Sequence, residues 1–556
     1  MPVIKIMKWD LERLLGKVLS IDEILDYLPR IKCEVDSISE EGEIEYEATH
    51  DRPDLYSVEG VARSLRSFLG LGENKYQLVD EGLKAYNTGV PGRPYIALAV
   101  VRDLDLDDEA VKQMMQLQEK LHMTYCRRRR KASIGVYDLD KIKPPLYYEL
   151  ADPSIKFTPL DESREMTLKE ILTNTVRGKE YGHIIANWEK YPILRDSEGT
   201  ILSMPPIINS EDTRVTVETK NVIIDATGID PKTVIDMVTI MAYNIAERSR
   251  GKKIVFVEAI MPDNTVLKAP REKGVTIEID PSKVNEVLGT SLDIEQVIEL
   301  LKKFDYKIIN NQKEQLIVTV PPYRVDVKSW IDVAEDIAMA YGYDTIGSTA
   351  YDLPKATHPG RIHPSEFLSR LLRKILVGMG FIEVVNYMMS NPEIQLRIFD
   401  MEDELITVTN PKMEKYTSLR RWLVPGLLEI IDANKEKEAE IRIFEIGDVA
   451  IPDTSTDTGA RIERRLGIAV SHRKATLTDG LAIVSTLMER LGLIPRYEKA
   501  VIKGLLPQRT AKIYVDNIEI GYVGEIHPRV LLRIGHDKPV VVSEIILNKL
   551  LMVLRE

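Results

Sequence analysis

Cysteine is almost absent from this sequence, since Cys33 and Cys126 are the only two in 556 residues. Two distant thiols exclude a disulfide framework and a cysteine-rich zinc site. The eight histidines are scattered, and none has a partner at metal-ligand spacing. The chain also lacks the phosphate-binding loop, the zinc-protease helix motif and the dinucleotide fingerprint. The corresponding nucleotide-binding and metalloenzyme classes are therefore not expected.

Long hydrophobic runs and an excess of positive charge are missing as well. No apolar run approaches the roughly 20 residues of a transmembrane helix. Residues 1–15 carry charges where a signal peptide needs an apolar core, so we expect a cytoplasmic protein without membrane contact. The chain has 75 Lys and Arg against 87 Asp and Glu, a net charge of −12. This balance argues against non-specific coating of nucleic acid but allows a local basic patch.

The composition that is present is ordinary for globular proteins, with 44% hydrophobic and 29% charged residues. A chain of 556 residues is too long for one core, so several domains are expected. Helix and strand patterns, divided by linkers at 87–94 and 347–357, predict a multidomain α+β and α/β protein. The predicted domains are a small N-terminal α/β domain (1–90), a larger α/β domain (91–265), a module of two helices and a β-hairpin (268–346), and a large α+β domain (355–556).

Four acidic residues cluster in a loop and in the first turns of a predicted amphipathic helix. They are Asp326, Asp332, Glu335 and Asp336. The last three have i, i+3, i+4 spacing, so their carboxylates share one helix face. A hard cation with oxygen ligands, such as Mg²⁺, would offset the repulsion between them. The alternative is that acidic residues simply favour the positive end of a helix dipole.

A basic run, Arg127–Lys131, lies between a predicted amphipathic helix and the predicted strand 134–137. Five consecutive cations usually form a solvated face. Their position between a helix and a strand would equally allow them to meet a phosphate backbone. The sequence leaves both interpretations open.

Residues 203–230 combine dense polar turns with short apolar strands. The predicted elements are extended backbone at Pro205-Pro206, a polar turn at 209–212, and strands at 213–219 and 222–224. A backbone turn at Gly228 would place Asp225 and Thr227 at a strand end, where α/β sheets often hold ligands. A pair of well-made β-turns explains the same pattern without a ligand.

Several of these segments together resemble one known family. Residues 322–344 (PYRVDVKSWIDVAEDIAMAYGYD) are similar to a signature in the β subunit of phenylalanyl-tRNA synthetase. Residues 205–215 (PPIINSEDTRV) and 227–230 (TGID) resemble the editing domain of its archaeal and eukaryal form. The resemblance covers nearly the whole chain, with the segments in the family's order. The OB-fold insertion and the C-terminal anticodon-binding domain of bacterial β subunits have no obvious counterpart.

The resemblance implies a role within a larger enzyme. In this family an α subunit binds ATP and phenylalanine and charges tRNA, and two α and two β subunits form an α2β2 heterotetramer. The β subunit binds tRNA, removes tyrosine attached in error, and binds Mg²⁺ at its contact with the α subunit. Carried over by position, the magnesium ligands are Asp326, Asp332, Glu335 and Asp336.

Editing has a physical reason, because a pocket built for phenylalanine cannot strongly reject tyrosine, which only adds a hydroxyl. A second site must then hydrolyse the wrong product, using a polar group for the phenolic hydroxyl and a positioned water. The resemblance gives as candidates Leu202, Asn209, Ser210, Glu211, Asp225 and Thr227. No Ser–His or Cys–His partnership is evident, so we expect substrate or backbone groups, rather than a triad, to activate the water.

The last domain resembles a class II synthetase catalytic fold that has lost its chemistry. Such a site needs fixed arginines to grip ATP. Arg442 and Glu445 have almost but not quite the required spacing, and no Gly-x-Gly-x-x-Arg helix start follows Gly524. We therefore expect a non-catalytic, antiparallel-sheet domain that pairs with the α subunit. The apolar segment 422–428 would be either interface or ordinary core.

Two other functions remain compatible with the sequence. One is a tRNA-binding assembly scaffold whose editing site is inactive. The other is a free-standing hydrolase without a partner, which is disfavoured because a solitary protein rarely exposes large apolar patches.

Overall fold

The computed structural model describes residues 1–312, 315–347, 360–436 and 440–554. The chain forms two compact units, Met1–Leu353 and Pro354–Glu556. Each unit combines helices with sheets, which confirms a multidomain mixed α/β protein. Most of the predicted linker 347–357 lies outside the described residues. Within the described ranges, no helix has the length and apolar character needed to cross a bilayer.

A small three-stranded sheet opens the first unit. Its elements are β1 (Val3–Met7), α1 (Lys8–Leu15), α2 (Ile21–Tyr27), β2 (Cys33–Ile38), β3 (Glu43–Ala48) and α3 (Val58–Phe68). The strands are antiparallel in the order β1-β3-β2. Alternation along β3 buries Ile44, Tyr46 and Ala48 against the helices. A capping box between Ser20 and Glu23 begins α2.

A ten-stranded sheet dominates the first unit. Its elements are β4 (Gln77–Asn87), β5 (Tyr95–Val101), α4 (Asp108–Met123), β6 (Ala132–Asp138), β7 (Leu146–Ala151), β8 (Lys156–Phe157), β9 (Met166–Thr167), α5 (Leu168–Asn174), α6 (Val176–Tyr181), β10 (Tyr191–Arg195), β11 (Ile201–Met204), β12 (Ile208–Asn209), β13 (Val222–Gly228), α7 (Pro231–Ile245), β14 (Lys253–Ile260) and β15 (Val266–Ala269). The strand order is β12-β11-β10-β7-β4-β14-β5-β13-β6, with β15 paired to β14, while β8 and β9 pair separately. Strand β4 belongs to this sheet although it falls in the predicted N-terminal domain, because it pairs in parallel with β14.

A third sheet completes the first unit. Its elements are β16 (Thr276–Ile279), α8 (Pro281–Leu288), α9 (Ile294–Lys302), β17 (Lys307–Gln312), β18 (Gln315–Thr319) and α10 (Trp330–Tyr341). The strands are antiparallel in the order β16-β18-β17. Val333 and Ile337 of α10 join the same apolar core as residues of α3 and α7. The module is therefore packed into the first unit rather than tethered to it.

The second unit is a seven-stranded sheet covered by helices on both faces. Its elements are α11 (Pro364–Gly378), β19 (Ile382–Glu383), β20 (Met389–Ser390), α12 (Pro392–Gln395), β21 (Ser418–Leu419), α13 (Val424–Asn434), β22 (Ile441–Pro452), β23 (Ala460–Ser471), α14 (Leu477–Arg490), β24 (Arg496–Lys499), β25 (Leu505–Val515), β26 (Ile518–Ile526), α15 (Pro528–Ile534), β27 (Val540–Ile546) and α16 (Leu547–Val553). The order is β19-β22-β23-β27-β26-β25-β24, antiparallel except between β19 and β22. Ile468 and Val470 of β23 pack with α11, α14 and α16, whereas the intervening Ala469 packs with α13 and α15.

Candidate active site

Strand β13 is the centre of the candidate site, and both β5 and β6 are hydrogen-bonded to it. It extends over Val222–Gly228, beyond the predicted 222–224, so Asp225 lies in the middle of the strand, whereas Thr227 is its second-last residue. The predicted turn at Gly228 is therefore wrong. A Cβ there would lie 2.7 Å from the Lys131 carbonyl oxygen, so this glycine allows two backbones to approach closely.

Two other local predictions around the site are corrected by the structure. Residues 213–219 form no strand, because the Thr216 backbone N–H donates to the Thr219 hydroxyl at 3.0 Å and closes a local turn. That hydroxyl also donates to Asp138 at 2.8 Å. Pro205 and Pro206, predicted as extended backbone, lie in a turn between β11 and β12 and share a cis peptide bond.

A cavity of about 580 Å³ is bounded by α4, β6, β11, β12 and β13. Of the six predicted editing residues, three line it: Asn209, Ser210 and Asp225. The other three are Leu202, Glu211 and Thr227, and they do not appear among its described lining residues. Four lining residues that sequence reasoning did not single out complete the polar wall: Ser133, Gly135, Tyr137 and Ser203.

Asp225 is the buried acid of this cavity, with 2% of its surface exposed. The Tyr137 hydroxyl donates to its Oδ1 at 2.6 Å and shares a second hydrogen bond with the Ser203 hydroxyl at 2.8 Å. Burial raises the pKa of Asp225 to about 7, although the hydrogen bond from Tyr137 opposes this shift. The carboxyl group therefore changes its charge near neutral pH.

Gly135 makes the contact between Tyr137 and Asp225 possible. It lies opposite Asp225 in the pairing of β6 with β13. A Cβ at position 135 would lie 2.0 Å from the Tyr137 hydroxyl oxygen and 2.3 Å from Asp225 Oδ1. The phenol therefore occupies the space that any side chain at 135 would need.

Asn209 and Ser210 reach the cavity from the end of β12. The Ser210 backbone N–H donates to the Leu202 carbonyl at 2.7 Å, and the Ser210 hydroxyl donates to the Thr158 carbonyl at 3.3 Å. The Asn209 amide donates to the Val136 carbonyl at 3.4 Å. Leu202 itself is fully buried, so it positions Ser210 through its backbone.

Thr227 lies directly behind the cavity wall. Its hydroxyl is 3.0 Å from the hydroxyl of Ser133, which lines the cavity. The buried Arg93 donates to the Thr227 carbonyl at 2.6 Å and to the Ser133 hydroxyl at 3.1 Å. Thr227 therefore supports the wall without forming it.

Glu211 forms an ion pair beside the cavity instead of pointing into it. Its two carboxylate oxygens accept from Arg214, each at 2.8 Å, and this contact lowers the pKa of Glu211. The Asp161 backbone N–H donates to the same carboxylate at 3.0 Å. Arg214 and Asp161 line the cavity, so the pair shapes its rim.

The basic run Arg127–Lys131 contributes one residue to the cavity wall and three to the protein surface. Arg129 is buried, lines the cavity and donates to the Ile207 carbonyl at 2.8 Å. It also stacks on Tyr181, with its guanidinium 4.3 Å from the ring centre. Arg127, Arg128 and Arg130 are exposed. Neither predicted interpretation anticipated a buried member of the run.

Three of the lining residues that the sequence analysis did not identify, all in β6, follow a pattern that the sequence does contain. Ser133, Gly135 and Tyr137 alternate along β6, so they share one face of the strand. Only the pairing of β6 with β13 shows that this face meets Asp225 and Thr227. The pairing joins residues about 90 positions apart, so no local pattern reveals it.

The four predicted magnesium ligands do not converge on one point. Arg324 donates to Asp326 at 2.8 Å and to Asp336 at 3.0 Å. Asp332 caps its own helix, accepting from the Ser329 backbone N–H at 2.8 Å. Glu335 pairs with Lys32 at 2.9 Å. Among the described residues, no group of three or more His, Cys, Asp or Glu is arranged to hold a metal ion, so these side chains do not fit a shared Mg²⁺ site in this conformation.

Comparison with known proteins shows which family the chain resembles. Residues 110–260 match the family described as the B3/4 domain, 277–343 the tRNA synthetase B5 domain, and 351–547 the phenylalanyl-tRNA synthetase beta chain CLM domain. The phenylalanine–tRNA ligase beta subunit of Thermofilum pendens is 41% identical over 98% of this chain and 97% of its own length. That of Pyrococcus furiosus is 40% identical over 99% of this chain and 100% of its own length. The chain belongs to the phenylalanine–tRNA ligase β-subunit family.

A solved structure of a related β subunit also has a similar three-dimensional fold. The crystal structure of an N-terminal fragment of the phenylalanyl-tRNA synthetase β subunit from Pyrococcus horikoshii is similar with a TM-score of 0.59 and 40% identity. It covers 62% of this chain and 100% of the fragment.

The second unit of this β-subunit family member holds a smaller cavity of about 260 Å³. Arg420 lies in its wall and donates to the buried Glu445 at 2.5 Å. Arg442 is exposed and pairs with Glu440 at 2.6 Å, so it does not approach Glu445. The apolar residues of segment 422–428 are buried within the unit, which supports the core alternative over an interface.

Proposed function

We propose that this chain hydrolyses tyrosyl-tRNA formed in error, using the cavity beside β13. The α subunit would activate phenylalanine with ATP and charge the tRNA, and two copies of each chain would form the α2β2 enzyme. The cytoplasmic location stays a prediction from the sequence. The observation that carries the proposal is a buried carboxyl group with a near-neutral pKa, Asp225, in a cavity of suitable size.

Asp225 would accept the hydrogen bond of the substrate's phenolic hydroxyl. A site built to bind a hydroxyl group rejects a substrate without it, because its own polar group is then left unpaired. Phenylalanyl-tRNA, which lacks this hydroxyl, would be spared for that reason. Tyr137 positions Asp225, and Gly135 leaves room for Tyr137.

The other predicted site residues take supporting roles in this proposal. Asn209 and Ser210 would contact the substrate, since both line the cavity. Leu202 and Thr227 would position the wall through Ser210 and Ser133, and Glu211 would hold the rim through Arg214. These roles follow from contacts within this chain.

Water activation would not involve a histidine. His122 lies in α4. Its Nε2 accepts a hydrogen bond from the backbone N–H of Ile134 in β6 at 2.8 Å. Burial lowers the pKa of His122 to about 4, so its ring stays neutral near pH 7, and its Nε2 is already used by the hydrogen bond from Ile134. A water held by lining hydroxyl and backbone groups would attack the ester, with the substrate assisting, in place of a catalytic triad.

The test is deacylation of tyrosyl-tRNA by the full chain assembled with its α subunit. We expect rapid hydrolysis by the unmodified enzyme and a fall in kcat/KM of about 100-fold in Asp225→Asn, since a hydrogen bond to a charged group contributes about 1.5–3 kcal/mol. Glu198→Gln is the matched control, because it also converts a carboxylate to an amide but is exposed, and among the described residues its carboxylate pairs only with Lys143. Binding of tRNA without hydrolysis by the unmodified enzyme would favour the assembly-scaffold alternative.

The domain roles belong to the same proposal. Residues 91–265 would form the editing domain, 268–346 the small module at the subunit interface, and 355–556 a non-catalytic class II synthetase-like domain after the N-terminal domain 1–90. The antiparallel sheet of the second unit supports the class II assignment. Arg442 supports the loss of ATP chemistry, since it is paired with Glu440 on the surface and is not among the described lining residues of the cavity in that unit.

Magnesium binding by Asp326, Asp332, Glu335 and Asp336 stays a prediction. A cation bound by all four would have to compete with Arg324 for two of them. Calorimetric titration with Mg²⁺ of the chain alone and of the α2β2 enzyme checks this. Saturable binding to either form that is lost in Glu335→Gln would support the prediction, and no binding to either would contradict it.

A further inference from the structure

The turn after α4 contains three consecutive residues in the left-handed backbone region. Arg127, Arg128 and Arg129 have φ angles of 49°, 52° and 62°. For residues with a Cβ this conformation costs roughly 1–2 kcal/mol each. Such strain persists only where the surrounding structure holds it, and it concentrates at functional sites.

Arg93 is the residue that holds this turn. Its buried guanidinium donates to the carbonyls of Arg129 at 3.0 Å and Arg130 at 3.4 Å. The same guanidinium donates to the Thr227 carbonyl and the Ser133 hydroxyl. One buried cation therefore fixes the strained turn and the cavity wall together.

The five cations of the run differ in whether their charge is balanced. Arg129 lies 3.4 Å from Glu119, and Lys131 lies 3.5 Å from Asp230. The side chains of Arg127, Arg128 and Arg130 are exposed and have no hydrogen-bond or ion-pair partner among the residues that the structure describes. Three uncompensated positive charges are thus presented by a rigid turn in a chain whose net charge is −12.

The position of these charges defines what they can bind. Consecutive Cα atoms are about 3.8 Å apart, so Arg128 and Arg130 directly flank Arg129, which lines the cavity. A substrate whose aminoacyl group enters the cavity has its ribose and phosphates outside it. Exposed arginines bind phosphate oxygens through two parallel hydrogen bonds.

We propose that Arg127, Arg128 and Arg130 bind the sugar-phosphate backbone of the acceptor end of aminoacyl-tRNA while its aminoacyl group occupies the cavity. This inference rests on the proposed hydrolysis and assigns its RNA-binding residues. The strained turn keeps the arginines next to Arg129 of the cavity wall, and their binding energy holds the ester in place. Positioning by groups remote from the reacting bond lowers the cost of orienting it.

The experiment compares two substrates that share one ester. One is tyrosyl-tRNA, and the other is 3′-O-tyrosyl-adenosine, which has no phosphate. For the α2β2 enzyme carrying Arg127→Ala, Arg128→Ala and Arg130→Ala, we expect KM for tyrosyl-tRNA to rise about tenfold with kcat little changed. Hydrolysis of tyrosyl-adenosine should be unaffected.

Two control enzymes separate binding from folding and from total charge. The variant with Arg127→Lys, Arg128→Lys and Arg130→Lys keeps the charges and should keep most of the affinity. The variant with Lys169→Ala, Lys179→Ala and Lys190→Ala removes three exposed cations elsewhere in the first unit and should behave like the unmodified enzyme. Equal KM values for the alanine variant and this last control would overturn the proposal.

A direct binding measurement decides the proposal even if hydrolysis is absent. Affinity for an RNA minihelix that has the tRNA acceptor end but carries no amino acid should fall about tenfold in the arginine-to-alanine enzyme. The slope of log affinity against log salt should shrink by about 2, since single-stranded phosphates contribute about 0.7 each. An unchanged slope contradicts the proposal. No hydrolysis of either substrate by the unmodified enzyme would instead contradict the proposed function.

Discussion

At the scale of single residues, the protonation of Asp225 has consequences that can be measured. Its pKa is raised to about 7 in the folded chain, against about 3.9 when unfolded. Between these values the folded state holds a proton that the unfolded state has lost. Asp225 therefore contributes most stability below pH 4, and that contribution is lost as the pH rises through about 7.

The first prediction follows from this linkage. Relative to Asp225→Asn, the unmodified chain should lose stability by about 1.4 kcal/mol per pH unit as the pH rises between 5 and 7. Urea unfolding at several pH values measures the difference. A difference that does not change with pH would show that Asp225 titrates in its ordinary range.

The second prediction concerns the hydrogen bond from Tyr137. Tyr137→Phe removes a donor to the charged form of Asp225, so the pKa of Asp225 should rise. If ionised Asp225 binds the phenolic hydroxyl, the rise of kcat/KM with pH should shift to higher pH in this variant. The control is Tyr86→Phe, whose ring stacks on Tyr147 in the same sheet and does not line the cavity. A profile unchanged in both variants would contradict the role given to Tyr137.

The third prediction concerns the close contact between Gly135 and the Tyr137 side chain. Gly135→Ala should lower stability by about 1–3 kcal/mol, the cost of overpacking, and should reduce hydrolysis. Tyr137→Ala removes the clashing ring, so the double variant should be more stable than the sum of the single changes predicts. Thermal unfolding of the four proteins gives the coupling, and strict additivity would show that the two residues do not compete for this space.

At the scale of elements, the turn at Arg127–Arg129 permits a fourth prediction. Arg128→Gly should raise stability by about 1 kcal/mol, because glycine adopts the left-handed region without a Cβ penalty. Arg128→Val, which introduces a branched Cβ at this position, should lower it. Urea unfolding of both variants measures the contrast, and equal effects would mean that the turn stores no backbone strain.

The elements also show where sequence reasoning succeeds and where it stops. Asp225 and Thr227 could be named from the sequence, but their place inside β13 could not. Their segment, Asp-Ala-Thr-Gly, has low strand propensity, and pairing with β5 and β6 on both sides overrides it. The burial of Arg129 was likewise hidden, because its acceptors at 206 and 207 are distant in sequence.

At the scale of the whole molecule, Arg324 belongs to a buried charge network inside the module containing α10, next to a contact between that module and α3. It contacts Asp326 and Asp336, while Tyr323 beside it packs under Arg63 of α3 at 3.7 Å. Burial of such charges is tolerated only while each is paired. The network joins the loop before α10 to α10 itself, so the stability of the module depends on it.

The fifth prediction tests this dependence. Arg324→Met should cost about 3–5 kcal/mol, since it leaves two carboxylates without their cation in a buried place. The matched control is Arg195→Met, whose partly exposed pair with Glu149 should cost less than about 1 kcal/mol. Urea unfolding of the full chain compares them. Equal losses would show that the buried network stabilises the unit no more than the partly exposed Arg195–Glu149 pair does.

In the proposed function, this chain removes tyrosine, and spares phenylalanine, through the cavity beside β13. The measurement is the ratio of kcat/KM for deacylation of tyrosyl-tRNA and phenylalanyl-tRNA by the α2β2 enzyme, with and without Asp225→Asn. We expect the unmodified enzyme to favour tyrosyl-tRNA by about 10⁴-fold, as for sites built around a hydroxyl group, and the variant to lose most of this preference. An unchanged preference in the variant would show that Asp225 does not recognise the substrate.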